Sequence, residues 1–191
     1  GQPGVEVNIL IERPGTEKPI KKTLTREEVK VKSVPYKGMV DDGIAYVRLT
    51  RFTRNCASEV EEAILELTNE NDVKGLVLDL RGNPGGLLNE SVSLCNLFID
   101  KNQEVVSTKG KIKDWEKSYK TMKEPLYKEL PLAILINQSS ASASEIVSGT
   151  IQDLDRGIIL GKKSFGKGLV QQTRKLSYNS QLKVTVAKYY T

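Results

Sequence analysis

Two kinds of residue in the last third of the chain could do acid–base chemistry on one another. Ser140, Ser142 and Ser144 stand in the run Asn137-Gln-Ser-Ser-Ala-Ser-Ala-Ser-Glu145, and Lys167 stands between glycines in Phe165-Gly-Lys-Gly168. The 191 residues include no histidine. An imidazole-based triad is therefore impossible within the chain, as are zinc sites of the HExxH or two-Cys, two-His kinds. A serine activated here needs a lysine or a carboxylate as its base, and an amine held neutral can take the hydroxyl proton. Lysine ordinarily titrates near about 10.4, so the amine must be desolvated or placed beside another cation to be free base at neutral pH. Lowering it by about three pH units costs the fold about 4 kcal/mol. Such a lysine is expected among apolar groups, with Phe165 and the run Ile158-Ile-Leu160 as their source.

The spacing alone leaves the nucleophile open among Ser140, Ser142 and Ser144. Ala141 and Ala143 let a substrate backbone approach, and a helix start would supply N–H groups to a developing oxyanion. Ser142-x-x-Glu145 is also the pattern of a capping box, the commoner meaning of that spacing. The turn Arg81-Gly-Asn-Pro-Gly-Gly86 has two readings as well. It is a tight strand-to-helix turn, or a stretch of bare amides suited to an oxyanion or a phosphate.

The elements that must position these residues follow from hydropathy. Gly75-Leu-Val-Leu-Asp-Leu80 and Pro131-Leu-Ala-Ile-Leu-Ile136 are near-continuous apolar runs, the mark of strands covered on both faces. The first feeds the glycine turn and the second feeds the serine run. Ile44 to Thr50 predicts another strand, with Phe52 as an anchor beyond it. Ser58-x-x-Glu61 reads as the capping box of a helix burying Val60, Ala63, Ile64 and Leu67. A second helix carries Leu87, Leu88, Val92, Cys95 and Phe98, and a third carries Ile146, Val147 and Ile151. Val105-Val106 belong to a strand, and Lys109 to Lys128, with Trp115, Tyr119 and Tyr127, reads as a mobile polar excursion. Strands alternating with helices predict an α/β fold whose sheet is mostly parallel. Its ligand site is expected at the carboxyl ends of the strands, where the glycine and serine loops meet. Val5 to Val34 reads as β structure with a Pro14-Gly15 turn, too little to be stable alone.

Composition narrows the class. With 38% hydrophobic and 28% charged residues and no apolar run of bilayer length, the chain reads as a globular domain plus a fragment. The net charge is +5, and the densest charge, Lys101 to Lys128, alternates with acids as a solvated face does. Nucleic acid is therefore not an expected partner. Cys56 and Cys95 are isolated thiols, Cys95 on an apolar helix face, and nothing demands a disulfide. The opening Gly-Gln-Pro-Gly reads as an excised piece, so a missing signal peptide says nothing of compartment. Gly161-Lys-Lys-Ser-Phe-Gly-Lys167 matches the start of a phosphate-binding loop, yet Gly168 stands where Ser or Thr should meet magnesium. Leu169 to Leu176 then reads as a strand rather than the required helix.

Three motifs together, Asp79-Leu-Arg-Gly-Asn-Pro-Gly-Gly86, Ser140-Ala-Ser-Ala-Ser-Glu145 and Ser164-Phe-Gly-Lys-Gly-Leu-Val-Gln171, resemble the carboxyl-terminal processing (tail-specific) proteases. The resemblance runs over essentially the whole chain. It implies a crotonase-like (ββα) core at residues 36–191, shortened at its carboxyl end. Ahead of it, residues 1–35 would be the last strands of a PDZ domain. It implies a serine endopeptidase acting on carboxyl-terminal or unstructured protein segments outside the cytoplasm, in the periplasm or cell envelope. Ser142 would be the nucleophile and Lys167, 25 residues on, its base. Gln171 would orient the amine, and the amides of Gly86 and Ala143 would form the oxyanion hole. No metal or cofactor is expected. The partner is a protein or peptide substrate, with membrane-bound or periplasmic proteins and self-association left open. The other class of reading is a catalytically silent peptide binder with the same core.

Overall fold

The computed structural model describes residues 1–191 except Lys30, Ile112, Asp114 and Trp115. The expectations for Trp115 therefore lie outside the described residues. The chain divides into two compact units, Gly1–Lys32 and Ser33–Thr191. The first is an antiparallel hairpin of β1 (Glu6–Ile11) and β2 (Ile20–Thr25), paired from Glu6–Thr25 to Ile11–Ile20. The alternation predicted a half-buried face. Only Val7, Ile11 and Ile20 are half-buried, and none of the unit's described residues is fully buried.

The second unit holds a five-stranded sheet in the order β3 (Tyr36–Asp41), β4 (Ile44–Arg48), β5 (Gly75–Asp79), β8 (Leu132–Ile136) and β9 (Ile158–Gly161). β3 and β4 form an antiparallel hairpin, and every later pairing in this sheet is parallel. The apolar runs fold as their composition dictates: four of the five β5 residues are buried, and Val47, Leu76, Leu78 and Ile134 are among its core side chains. Register places Arg48 beside Asp79 and Asp79 beside Leu135, so β4, β5 and β8 end level with one another. Their exits, the Phe52 segment, the glycine turn and the serine run, are thereby brought to one edge.

Helices α1 (Cys56–Glu70) and α3 (Ala143–Asp153) bury the expected apolar stripes, whereas α2 (Leu88–Cys95) buries Ser91, Leu94 and Cys95. Of the stripe expected there, Leu88 and Val92 are half-buried, Phe98 is buried past the helix end, and Leu87 lies before the helix and is exposed. Phe52, Ile64, Leu94, Ile146 and Ile151 are at most 1% exposed, and Cys56 and Cys95 are buried free thiols. Burial pushes the Cys95 thiol up to about 12. The capping box expected at Ser58 is not how α1 begins. The helix starts at Cys56 behind Asn55, which takes a left-handed conformation (φ 68°). The Asn55 and Ala57 amides are satisfied instead by the Glu90 carboxylate of α2, at 3.0 and 3.1 Å. A cap supplied by another helix leaves no local sequence signal. No helix among the described residues is long and apolar enough to cross a membrane.

A second sheet, wholly antiparallel, was not expected. Its order is β10 (Leu169–Lys175), β11 (Gln181–Tyr190), β6 (Glu104–Gly110) and β7 (Lys117–Lys120). The segment 109–128 is therefore not a mobile excursion throughout. β7 pairs with β6, Thr121 is buried with its hydroxyl on the Asp100 carbonyl at 2.5 Å, and Tyr127 packs near Phe98. Polar composition misled here because the strand is short and covered on one face only. β10 is a strand, which removes the helix a phosphate-binding loop requires.

Candidate active site

Three backbone exits converge above the level strand ends. Phe52, one residue past Arg51, bridges to Gly86 in parallel fashion: the Phe52 amide donates to the Gly85 carbonyl (3.1 Å) and the Leu87 amide to the Phe52 carbonyl (2.8 Å). The glycine turn is in turn fastened to the serine run. The Ala141 amide and the Ser144 hydroxyl both donate to the Asn83 carbonyl, each at 3.0 Å. Asn83, fully buried, also donates its side-chain amide to the Leu49 carbonyl and accepts the Gly85 amide, both at 2.9 Å. One asparagine thus ties all three exits together.

The glycines are dictated by contact. Gly85 (φ 89°) lies so close to the serine run that a Cβ there would meet the Ala141 carbonyl oxygen at 2.6 Å and the Ser142 Cβ at 2.8 Å. At Gly86 (φ 156°) it would meet the Phe52 carbonyl oxygen at 2.1 Å. No other residue type fits either place.

The structure distinguishes the three serines that spacing left open. Ser140 and Ser144 are fully buried, and their hydroxyls are spent on the Leu80 carbonyl (2.8 Å) and the Asn83 carbonyl (3.0 Å). Ser142 is half-buried and lines a cavity of about 470 Å³. It precedes α3 with φ 58° and ψ −114°, in a turn closed by the Ser144 amide on the Ala141 carbonyl (3.1 Å). A non-glycine residue held there stores about 1–3 kcal/mol, which the fixed turns on either side maintain. Glu145 supplies its half of a capping box, its carboxylate accepting the Ser142 amide at 2.7 Å. Capping and chemistry are therefore not rival readings of this serine.

Lys167, Gln171, Gly86 and Ala143 line the same cavity as Ser142. Lys167 is half-buried and joins no ion pair among the described residues. Its expected apolar surroundings are not those it has. β9 is an edge strand, and Ile158, Leu160 and Phe165 are 59, 47 and 66% exposed. The apolar groups on the cavity are instead Leu88, Ile146, Leu169 and Val170. The amides of Gly86 and Ala143, the latter at the first position of α3, donate to no other described residue. Gln171 reaches the cavity, but its side-chain amide donates to Thr185 at a long 3.4 Å rather than to Lys167.

Sequence reasoning missed three contributors besides Asn83 and Gly85. Glu145 was read as a cap only, yet its carboxylate also accepts the Ser164 hydroxyl (2.8 Å) and the Gly166 and Lys167 amides (2.5 and 2.8 Å). It clamps the lysine loop to the serine turn. Tyr189, on β11, lines the cavity and donates its hydroxyl to the Lys167 carbonyl. Burial pushes that phenol up to about 12 against the lowering effect of the adjacent Ser142 side chain, with Glu145 adding to the rise. Asp79 closes β5: burial works against its charge, but the Arg81 guanidinium, donating twice at 2.8 and 2.9 Å, and the Tyr46 hydroxyl hold it below the usual carboxylate range. An acid and a base two residues apart before a glycine turn were a usable signal. Nothing local marked Tyr189.

Comparison with known proteins agrees with this architecture. The sequence model of peptidase family S41 matches residues 43–191. The chain belongs to that family. A carboxy-terminal-processing protease of Bartonella bacilliformis is 41% identical over 194 residues, covering 100% of this chain and 44% of the relative. A probable CtpA-like serine protease of Staphylococcus saprophyticus is 39% identical over 192 residues, covering 100% of this chain and 38% of its own. The chain therefore spans less than half the length of these S41 relatives. Among solved structures, a photosystem II D1 C-terminal processing protease superposes with a TM-score of 0.71 at 31% identity, over 100% of this chain and 52% of that one. A putative S41 protease of Bacteroides fragilis shares the fold with the same TM-score at 16% identity, over 96% of this chain and 53% of its own.

Proposed function

We propose that the chain is the core of a serine endopeptidase in which Ser142 and Lys167 form a catalytic dyad. The observation that carries this reading is the one cavity lined by an accessible serine, a lysine and two amides, the lysine without an ion-pair partner and the amides without an acceptor among the described residues. The Ser142 Oγ attacks the scissile carbonyl carbon while the neutral Lys167 Nζ takes its proton. The oxyanion of the tetrahedral intermediate accepts from Gly86 and Ala143, whose donors are fixed before substrate arrives. Collapse breaks the peptide C–N bond, and the Lys167 ammonium returns the proton to the departing amine. Water, losing a proton to the same Nζ, then hydrolyses the Ser142 ester. Gln171 orients the amine once substrate closes the cavity, leaving its long contact to Thr185.

The substrates proposed are carboxyl-terminal or unstructured segments of proteins outside the cytoplasm. The carboxy-terminal processing for which the relatives are named and the open cavity support that choice. Residues 1–35, which contain the Gly1–Lys32 unit, are read as the last strands of a PDZ domain, on the sequence resemblance alone.

Ser142→Ala in the full-length protein is expected to abolish peptide cleavage and labelling by a fluorophosphonate. Ser144→Ala should still be labelled, since its hydroxyl is spent on the Asn83 carbonyl. Cleavage retained in the first variant and lost in the second would move the nucleophile, and labelling of neither the wild type nor Ser144→Ala would favour a peptide binder.

A further inference from the structure

The charge of the chain is divided sharply. Residues 156–191 contain eight lysines and arginines and no aspartate or glutamate, whereas the 155 residues before them carry 24 acidic and 21 basic side chains. The whole excess of positive charge therefore lies in the segment that supplies β9, the lysine loop, β10 and β11. Two of those strands form a wall of the cavity.

Lys183 lines that cavity from β11, on the face it shares by period-two alternation with Thr185 and Tyr189. Arg51 lines it from the segment that leaves β4, next to the residue that bridges Gly86. Among the described residues neither joins an ion pair and none that lines the cavity is acidic. The nearest carboxylate, Glu145, is saturated by four N–H and O–H donors. Asp79, at the end of β5, is held by Arg81 and Tyr46. Besides Lys167, Arg51 and Lys183 are the cations lining the cleft, and no ion pair among the described residues answers them.

We infer that the cleft selects polypeptides carrying a carboxylate within a few residues of the bond that Ser142 attacks, and that Arg51 and Lys183 read it. The inference rests on the proposed Ser142–Lys167 chemistry for which bond is cut, but not for what is bound. The carboxylate is either an aspartate or glutamate side chain or the free carboxyl terminus of a short tail, since both present the same two oxygens to a guanidinium or ammonium. Both cations are solvent-exposed, so the contribution is a graded preference weakened by salt rather than an absolute requirement.

The test uses the full-length protein and internally quenched peptides that differ only in Asp, Asn or Lys beside the cleaved bond, each with a free and an amidated carboxyl terminus. The expected order of kcat/KM is Asp, then Asn, then Lys, with Asp favoured over Asn about 5- to 20-fold at low ionic strength. That advantage should shrink severalfold at about 0.5 M salt. Faster cleavage of the free than of the amidated peptides, whatever the side chain, assigns the recognition to the terminal carboxylate, and an Asp preference shared by the amidated peptides assigns it to side chains. In the double variant Arg51→Gln, Lys183→Gln the Asp and Asn peptides should be cleaved alike. Equal cleavage of all peptides by the wild type, or an Asp preference that survives the double variant, overturns the inference. A separate arm measures binding by fluorescence anisotropy in Ser142→Ala. Failure of the wild type to cleave anything, or cleavage by Ser142→Ala, would sink the dyad, while tighter binding of the Asp over the Asn peptide, or of the free over the amidated peptide, would still uphold the charge selection, and equal binding of all of them would overturn it.

Discussion

At the scale of single residues, the site depends on which polar groups are already committed. Ser140, Ser144 and Asn83 are buried and locked to backbone, so they build the turn that presents Ser142. Tyr189 is the residue whose role is least evident from chain position. Its phenol, raised to about 12, stays protonated at any working pH and so serves as a donor to the Lys167 carbonyl, never as a base. Tyr189→Phe keeps the ring and removes only that donor. The expected outcome is a fall in kcat of about tenfold with KM little changed, since one hydrogen bond of about 1–1.5 kcal/mol is lost from the positioning of the base. Steady-state kinetics beside a thermal melt checks this, and an unchanged kcat would remove Tyr189 from the site. The proposed base, Lys167, could be singled out because a histidine-free chain leaves few bases to choose from, whereas spacing left three serines open and only the family resemblance chose Ser142 among them. Tyr189 could not be singled out, because its partner lies 22 residues away across a strand pairing that no periodicity announces.

At the scale of elements, the glycine turn and the serine turn are one fitted pair. Gly85→Ala would place a methyl group within 2.6–2.8 Å of three atoms of residues 141–143, at a backbone angle that alanine rarely adopts. Activity is expected to drop by at least about a hundredfold, because a shift on the order of 1 Å in the nucleophile is enough for that loss. Far-UV circular dichroism should stay near wild type, since the strands below are untouched. Retention of full activity would show that the two turns move independently. The parallel part of the fold was readable because strands covered on both faces are apolar without interruption, as β5 and β8 are. The antiparallel sheet was not, because β6, β7, β10 and β11 expose one face and several of their residues are lysines. The hidden caps followed the same rule: Glu90 serves a helix start 33–35 residues earlier in the chain.

At the scale of the whole molecule, stability should carry an acid limb from Asp79. Its folded-state pKa lies below the unfolded value of about 3.9, so its contribution is fully present above that value and is lost as pH falls through the folded one. Asp79→Asn is expected to lower stability by about 2 kcal/mol at pH 7, the low end for a charged hydrogen-bonded pair because Arg81 is half-exposed. The deficit should narrow below about pH 4. Urea unfolding at pH 7 and pH 3 measures both values, and an equal deficit at the two would refute the ion-pair account. The two sheets also differ in when they can form. β6 pairs with β11 through Thr108 and Tyr189, so that sheet closes only over a long loop of intervening chain. During translation, the helices and the parallel strands up to β9 can assemble while β11 is still inside the ribosome. The lysine loop then has no Tyr189 to rest on, and the cavity lacks the wall that β11 supplies. Order of synthesis thus makes the cavity the last feature of this chain to be completed, after the parallel sheet beneath it has formed.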